Sequence, residues 1–247
     1  MVAAAAAVVA TGYENSNRIF MTAEQRVSLV IFDCDGVLVD SEVIACRVDA
    51  ACLSEAGFPV TPEEMARRFV GTSAKSMLTT LSEQYRKQPP EGLNELRQAR
   101  IVAAFETELR PIPGIQKTLE MLRARRCIAS SSPLHRIARS LELTGLREYF
   151  GEHLFSASMV SRGKPAPDLF LYSAAQMKVE PSKCVVIEDS PSGVLGAKAA
   201  GMRVIGFVGG SHCGVGQAER LREAGAAVVI GAMADLPTVL PDCYTLA

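Results

Sequence analysis

Five short apolar runs set the strongest limit on this chain: Leu29–Phe32, Cys127–Ala129, Cys184–Ile187, Val204–Phe207 and Val228–Ile230. None alternates apolar with polar residues. A strand that is apolar at every position is covered on both faces, as strands of a parallel sheet are when helices flank them. Helical patterns fill the intervals at about residues 114–125, 133–143, 167–177, 191–200 and 217–224. Their punctuation agrees. Pro167–Asp168 puts a proline and an acid in a first turn, Ser190–Pro191 offers a cap followed by proline, and Gly201 suits a helix end. The expected class is α/β with a doubly wound, Rossmann-like parallel sheet.

Residues 44–109 break this alternation. Ile44–Ala56, Lys75–Tyr85 and Leu93–Leu109 read as helices, with no convincing strand between them. Pro111–Ile112–Pro113–Gly114 then returns the chain to its α/β rhythm. The expectation is an all-helical insertion at 44–109 that divides a core of residues 26–43 and 110–247. Residues 1–25 read as a weakly ordered extension. The apolar run Ala3–Ala10 falls far short of the ~20 residues that span a bilayer, and no basic residue precedes it, so it is a poor secretory signal.

Composition narrows the chemistry. Apolar residues make up 48% of the chain, which excludes a disordered one. With 26 basic and 27 acidic residues, nothing favours nucleic acid or a membrane surface as partner. The seven cysteines form no CxxC pair, which fits a reducing, cytoplasmic setting better than a disulfide framework. The three histidines lack ligand spacing, so a His-based metal site is not expected, whereas a carboxylate-based one stays open.

Three of the apolar runs end in polar residues. The first leads into Asp33–Cys34–Asp35–Gly36–Val37, the second into Ser130–Ser131–Ser132, the third into Glu188–Asp189–Ser190. Lys164 stands in a turn, Gly163–Lys164–Pro165, before a helix. Ligands of open parallel sheets bind outside the carboxyl ends of the strands, so these residues converge on one crevice. Alone, each has an ordinary reading: the DxD as turn chemistry, the serines as loop, Lys164 as a surface lysine, Glu188–Asp189 as a helix start. Together they make a set with a logic. Grouped carboxylates are costly unless protonated or neutralised by a cation. All-oxygen ligands select a hard ion such as Mg²⁺, which binds one or two carboxylates plus waters and substrate phosphate. A carboxylate in line with a phosphoryl group is a nucleophile, and a second one two residues on can move protons.

The motif Asp33–Cys34–Asp35–Gly36–Val37–Leu38–Val39–Asp40–Ser41–Glu42, followed in order by Ser130, Lys164 and Glu188–Asp189, resembles the four motifs of the haloacid dehalogenase superfamily phosphatases. Within it, the β-phosphoglucomutase-like and sugar-phosphate phosphatase group is most similar, over about residues 27–240. The resemblance implies that the helical insertion is a cap domain. It also implies roles. Asp33 would attack phosphorus, and Asp35 would protonate the leaving alcohol and then activate water. Ser130 and Lys164 would hold phosphoryl oxygens, with Gly36 and Ser131 as further phosphate contacts. Asp189 would bind Mg²⁺ with Asp33 and the Asp35 backbone carbonyl, and Glu188 would either ligate the ion or hold one of its ligands. Cap residues Thr72, Ser73 and Lys75, in or beside the turn Val70–Gly71–Thr72–Ser73, are candidate substrate contacts; a plain inter-helix turn is the other reading.

Two departures bear on activity. The founding dehalogenases lack the second acid of the first motif, so Asp35 favours phosphate chemistry. The mutases of the group carry a histidine after the first motif and an arginine early in the cap, where this chain has Ala45 and Ala74. The expected function is Mg²⁺-dependent hydrolysis of a small phosphomonoester, a sugar or sugar-acid phosphate. The alternatives are a sugar phosphate mutase and a non-catalytic phosphate-binding protein on the same fold. The expected partner is a small phosphorylated substrate, in a monomer or homodimer. The loop Gly209–Gly214 matches no dinucleotide fingerprint and is read as plain loop. Cys34, between two acids, is read as a packing residue with a raised thiol pKa.

Overall fold

The structure is a computed structural model that describes residues 26–72 and 74–244; the expected extension 1–25 and the candidate Ser73 lie outside the described residues. Six strands form one sheet: β1 (Leu29–Phe32), β2 (Arg125–Ser130), β3 (Leu154–Ser156), β4 (Cys184–Glu188), β5 (Arg203–Phe207) and β6 (Val228–Ile230). All neighbours pair in parallel, in the order β3-β2-β1-β4-β5-β6. This is the doubly wound order. The chain winds outward from β1 in one direction and from β4 in the other, which leaves a crevice at the carboxyl ends of these two strands.

Burial on both faces explains the continuous apolar runs. Val30, Phe32, Ile128, Val185 and Ile187 face one core cluster, while Leu29, Ile31, Cys127, Cys184 and Val186 face the other. Helices cover both sides: α5 (Ile115–Met121), α6 (Leu134–Leu143), α7 (Arg147–Phe150), α8 (Asp168–Gln176), α9 (Pro191–Ala199), α10 (Gln217–Ala224) and α11 (Leu236–Val239). Two expectations need correction. Helix α5 ends at Met121 because Arg125 and Arg126 already belong to β2. Strand β3, only three residues long, is not among the expected strands.

Between β1 and β2 the chain forms four helices: α1 (Glu42–Glu55), α2 (Pro62–Phe69), α3 (Ala74–Tyr85) and α4 (Leu93–Glu108). Helix α1 starts two residues earlier than the pattern suggests. Helix α2 is an addition to the expected elements, although Thr61 and Glu64 form a reciprocal capping box and Pro62 occupies the first turn. The insertion has its own apolar cluster, with Leu53, Phe58, Met65, Met77 and Leu81. Helices α1 and α4 also bury Ile44, Val48, Ile101 and Phe105 in the larger core, so the insertion is anchored along two helices. All seven cysteines are free, and Cys34 is fully buried, as a packing residue should be. Among the described residues, no helix is long and apolar enough to cross a membrane.

Candidate active site

The crevice at the switch point holds the expected cluster. The Asp33 N–H donates to the Ile187 carbonyl at 3.0 Å, which carries the β1–β4 ladder one residue past β1 and sets Asp33 beside the end of β4. Lys164 Nζ lies 2.8 Å from Asp33 Oδ1 and 2.5 Å from Glu188 Oε1, with its side chain only 2% exposed. The other Glu188 oxygen accepts from the Ser190 N–H at 3.1 Å and the Ser190 hydroxyl at 2.9 Å. Ser190 also caps α9, accepting from the Gly193 N–H at 3.1 Å, so one short turn fixes both the helix and the carboxylate. A Cβ at Gly193 would overlap that carboxylate.

Asp33, Glu188 and Asp189 bring carboxylate oxygens within 4.8 Å of one another. Burial pushes Asp33 well above the ordinary carboxylate range; Lys164 opposes the rise, and Glu188, Asp189 and Asp35 add to it. Burial and Glu188 likewise push Asp189 well up, against Lys164. Burial pulls the Lys164 ammonium down, but Asp33 and Glu188 outweigh it and hold it above its ordinary value. Three buried carboxylates facing one ammonium, with the His212 imidazole 3.0 Å from Asp189, are short of positive charge even when that imidazole is protonated. Asp189 Oδ2 is buried without a hydrogen bond. The all-oxygen donor set and this missing charge fit a hard divalent cation.

Asp35 sits apart from that triad. Its carboxylate accepts from Ser41 Oγ at 2.7 Å, from Ser132 Oγ, and from Arg136 Nη2 at 3.3 Å. Burial raises the Asp35 carboxyl, but Arg136 and the two serines outweigh burial and leave it below its ordinary value. Its side chain is thus occupied away from the three clustered carboxylates.

Other candidates divide. Ser130, Ser131, Thr72, Ala45 and Ala74 line the same cavity of about 300 Å³ as Asp33, Asp35, Lys164 and Asp189. Ser130 Oγ is buried and accepts from the Ser132 N–H at 3.1 Å, whereas Ser131 is exposed. The Thr72 hydroxyl donates to the Phe69 carbonyl at 2.7 Å. Lys75 must be corrected: it lines not that cavity but an adjoining surface one, with Leu78, Thr79 and Glu83, which shares Ala74 and Asn94 with the first. Gly36 also serves differently. Its N–H donates within the turn to the Val39 carbonyl at 2.8 Å, and its φ of +78° with no Cβ leaves room for the Asp189 carboxylate and His212.

Two residues escape the sequence reading. Arg136 lies in the first turn of α6, where a cation opposes the helix dipole; that misplacement is the available signal that it serves a carboxylate instead. His212 lies in the loop read as plain. Its Nε2 is 3.0 Å from Asp189 Oδ2, and the neighbouring Ser211 N–H donates to Asp40 Oδ1 at 3.0 Å, which docks the loop on the first motif. Its position after β5, at the same edge of the sheet, is the legible hint.

Glu42 adds a pH-dependent charge. Burial, Asp35 and Asp189 push its carboxyl up to about 8, with His212 and Arg136 opposing. The folded state therefore keeps a proton that the unfolded chain, with its ordinary value of 4.5, has released. Stability of the metal-free protein is expected to fall as pH rises across that window. Glu42→Gln should flatten part of the decline in urea titrations run across pH; an unchanged slope would contradict the assignment.

A family model described as haloacid dehalogenase-like hydrolase matches residues 27–201. A 6-phosphogluconate phosphatase of Escherichia coli strain K12 is 32% identical over 188 residues, covering 76% of this chain and 85% of the relative. A phosphorylated carbohydrates phosphatase of Thermotoga maritima is 32% identical over 206 residues, covering 81% and 93%. Among solved structures, a hydrolase of the same family from Deinococcus radiodurans, with bound phosphate and sodium, aligns at a TM-score of 0.74 and 34% identity, over 90% of this chain and all of that one.

Proposed function

The chain belongs to the haloacid dehalogenase-like hydrolases, and within that family we propose a Mg²⁺-dependent phosphatase that hydrolyses a small phosphomonoester, a sugar or sugar-acid phosphate, through a phosphoryl-aspartate at Asp33. The observation that carries this reading is Asp33 itself. It sits at the carboxyl end of β1, 2.8 Å from Lys164, in a carboxylate cluster that lacks positive charge.

The steps follow from the side chains. An Asp33 carboxylate oxygen attacks phosphorus, the bond from phosphorus to the substrate oxygen breaks, and the departing alcohol takes a proton from Asp35. Water then attacks the phosphoryl-aspartate and gives a proton back to Asp35, which frees Asp33 and inorganic phosphate. Arg136, Ser132 and Ser41 keep Asp35 ionised in the ligand-free geometry. A phosphoryl anion close by raises a carboxyl, so substrate entry favours the protonated acid. Lys164 and Ser130 hold phosphoryl oxygens. Asp33, Glu188 and Asp189 would hold the magnesium, which when bound neutralises charge on the phosphoryl group. Helices α1–α4 serve as the cap over this site.

Hydrolysis is favoured over phosphoryl transfer between sugars because Ala45 and Ala74 face the cavity where a mutase needs groups to grip a second phosphate. Phosphate release from a panel of sugar and aryl phosphates, with and without Mg²⁺, tests the reading. Asp35→Asn should cost an alkyl phosphate about tenfold or more beyond its cost to p-nitrophenyl phosphate, whose leaving group needs little protonation. Equal losses would refute Asp35 as the acid.

A further inference from the structure

The cavity around Asp33 extends into the helical insertion, where its wall includes Asp49 of α1 and Asn94, Arg97 and Gln98 of α4. Among the described residues, three basic ones line the cavity: Arg97, Arg136 and Lys164. Each is committed to an acid. Arg97, 2% exposed, places Nη2 2.6 Å from Asp49 Oδ2. Arg136 lies 3.3 Å from Asp35, and Lys164 lies between Asp33 and Glu188. In the ligand-free geometry a second anionic group on the substrate finds no unpaired cation among the described residues lining this cavity. Recruiting Arg97 would strand Asp49 as an uncompensated buried charge.

The same wall has unused valences of a different kind. Asp49 Oδ1 and Arg97 Nε are buried without hydrogen-bond partners. The Asn94 and Gln98 side-chain oxygens accept from Arg97 and Arg136, both at 3.2 Å, which leaves their NH₂ groups as donors. An acceptor beside two amide donors, with an N–H of Arg97, whose charge Asp49 already balances, suits a hydroxyl, which gives and accepts at once. A carboxylate only accepts, and it would meet Asp49 as a like charge. At about 300 Å³ the cavity lies at the small end of ligand sites, suited to one sugar-sized group.

We propose that the substrate is a monophosphate whose remainder is an uncharged polyhydroxylated ring or chain, recognised by the Asp49–Arg97 pair with Asn94 and Gln98. This rests on the phosphatase reading and narrows its two substrate classes to one. The site selects against a carboxylate or a second phosphate at the far end.

The test compares kcat/KM of the Mg²⁺-loaded wild-type enzyme on glucose 6-phosphate, glucitol 6-phosphate, 6-phosphogluconate and fructose 1,6-bisphosphate, with p-nitrophenyl phosphate as a probe of phosphatase activity. The better of the two uncharged substrates should exceed the acid and the bisphosphate by about tenfold or more. Asp49→Asn leaves the Arg97 charge unmatched and should shift the ratio toward 6-phosphogluconate by about tenfold. Equal or better turnover of the acid or bisphosphate by wild type overturns the inference, as does an unchanged ratio in folded Asp49→Asn. Cleavage of p-nitrophenyl phosphate alone overturns it and leaves the phosphatase reading standing; no release from any substrate overturns both. Should Asp49→Asn fail to fold, the wild-type ratio decides.

Discussion

Asp33→Asn is expected to lower kcat by about 10⁴-fold or more while the fold survives. Asparagine keeps the size and planarity of the side chain but offers no anionic oxygen to attack phosphorus. The fold should survive because the Asp33 charge does not stabilise it. Burial pushes its carboxyl well up, and Glu188 and Asp189 add repulsion. A carboxyl raised on folding destabilises the folded state once pH passes its unfolded value, and an amide removes that penalty. Lys164 keeps Glu188 as a partner at 2.5 Å. Thermal melts of the metal-free proteins at neutral pH should therefore place the variant no lower than wild type. A large loss of stability would mean that the Asp33–Lys164 pair holds the fold, and the kinetic loss would then need another explanation.

The second large effect concerns Asp189. Asp189→Ala should weaken Mg²⁺ binding by about 100-fold or more, beyond the usual cost of losing an outer partner of a metal ligand. Mg²⁺ should raise the melting temperature of wild type, since a ligand that binds only the folded state stabilises it by mass action. The same addition should leave Asp189→Ala almost unmoved, and excess chelator should silence wild-type turnover. The metal-free variant should lose little stability. Asp189 Oδ2 makes no hydrogen bond, although His212 Nε2 lies 3.0 Å away. Full turnover in chelator would refute the metal requirement.

Much of this site is legible in the sequence because parallel strands announce themselves. Residues such as Val30, Ile31, Val185 and Val186 lie in strands buried on both faces, so the pattern is apolar throughout, and the residues just past each run lie at one edge of the sheet. Asp33, Ser130, Glu188 and Asp189 are legible for that reason. Residues placed by tertiary packing are harder. Arg136 reaches Asp35 only because α6 packs beside the sheet, and no spacing in the sequence encodes that distance. His212 reaches Asp189 because Gly36 has no side chain, a dependence between positions far apart in the chain. Lys75 lines the adjoining surface cavity rather than the crevice, although its neighbour Ala74 lines both. Strand β3 escapes because Leu154–Ser156 is too short for a pattern and takes its register from β2. The Asp49–Arg97 pair is invisible, since its members stand on separate helices of the insertion.

That Asp33 carries the phosphoryl group between substrate and water is tested most directly by trapping it. The measurement is a rapid acid quench of the Mg²⁺-loaded enzyme turning over a ³²P-labelled sugar phosphate, followed by proteolysis. Labelled phosphoryl is expected on the peptide that contains Asp33 in wild type, with no label in Asp33→Asn. Undiminished turnover by Asp33→Asn, or label that persists in that variant, would contradict the role of Asp33.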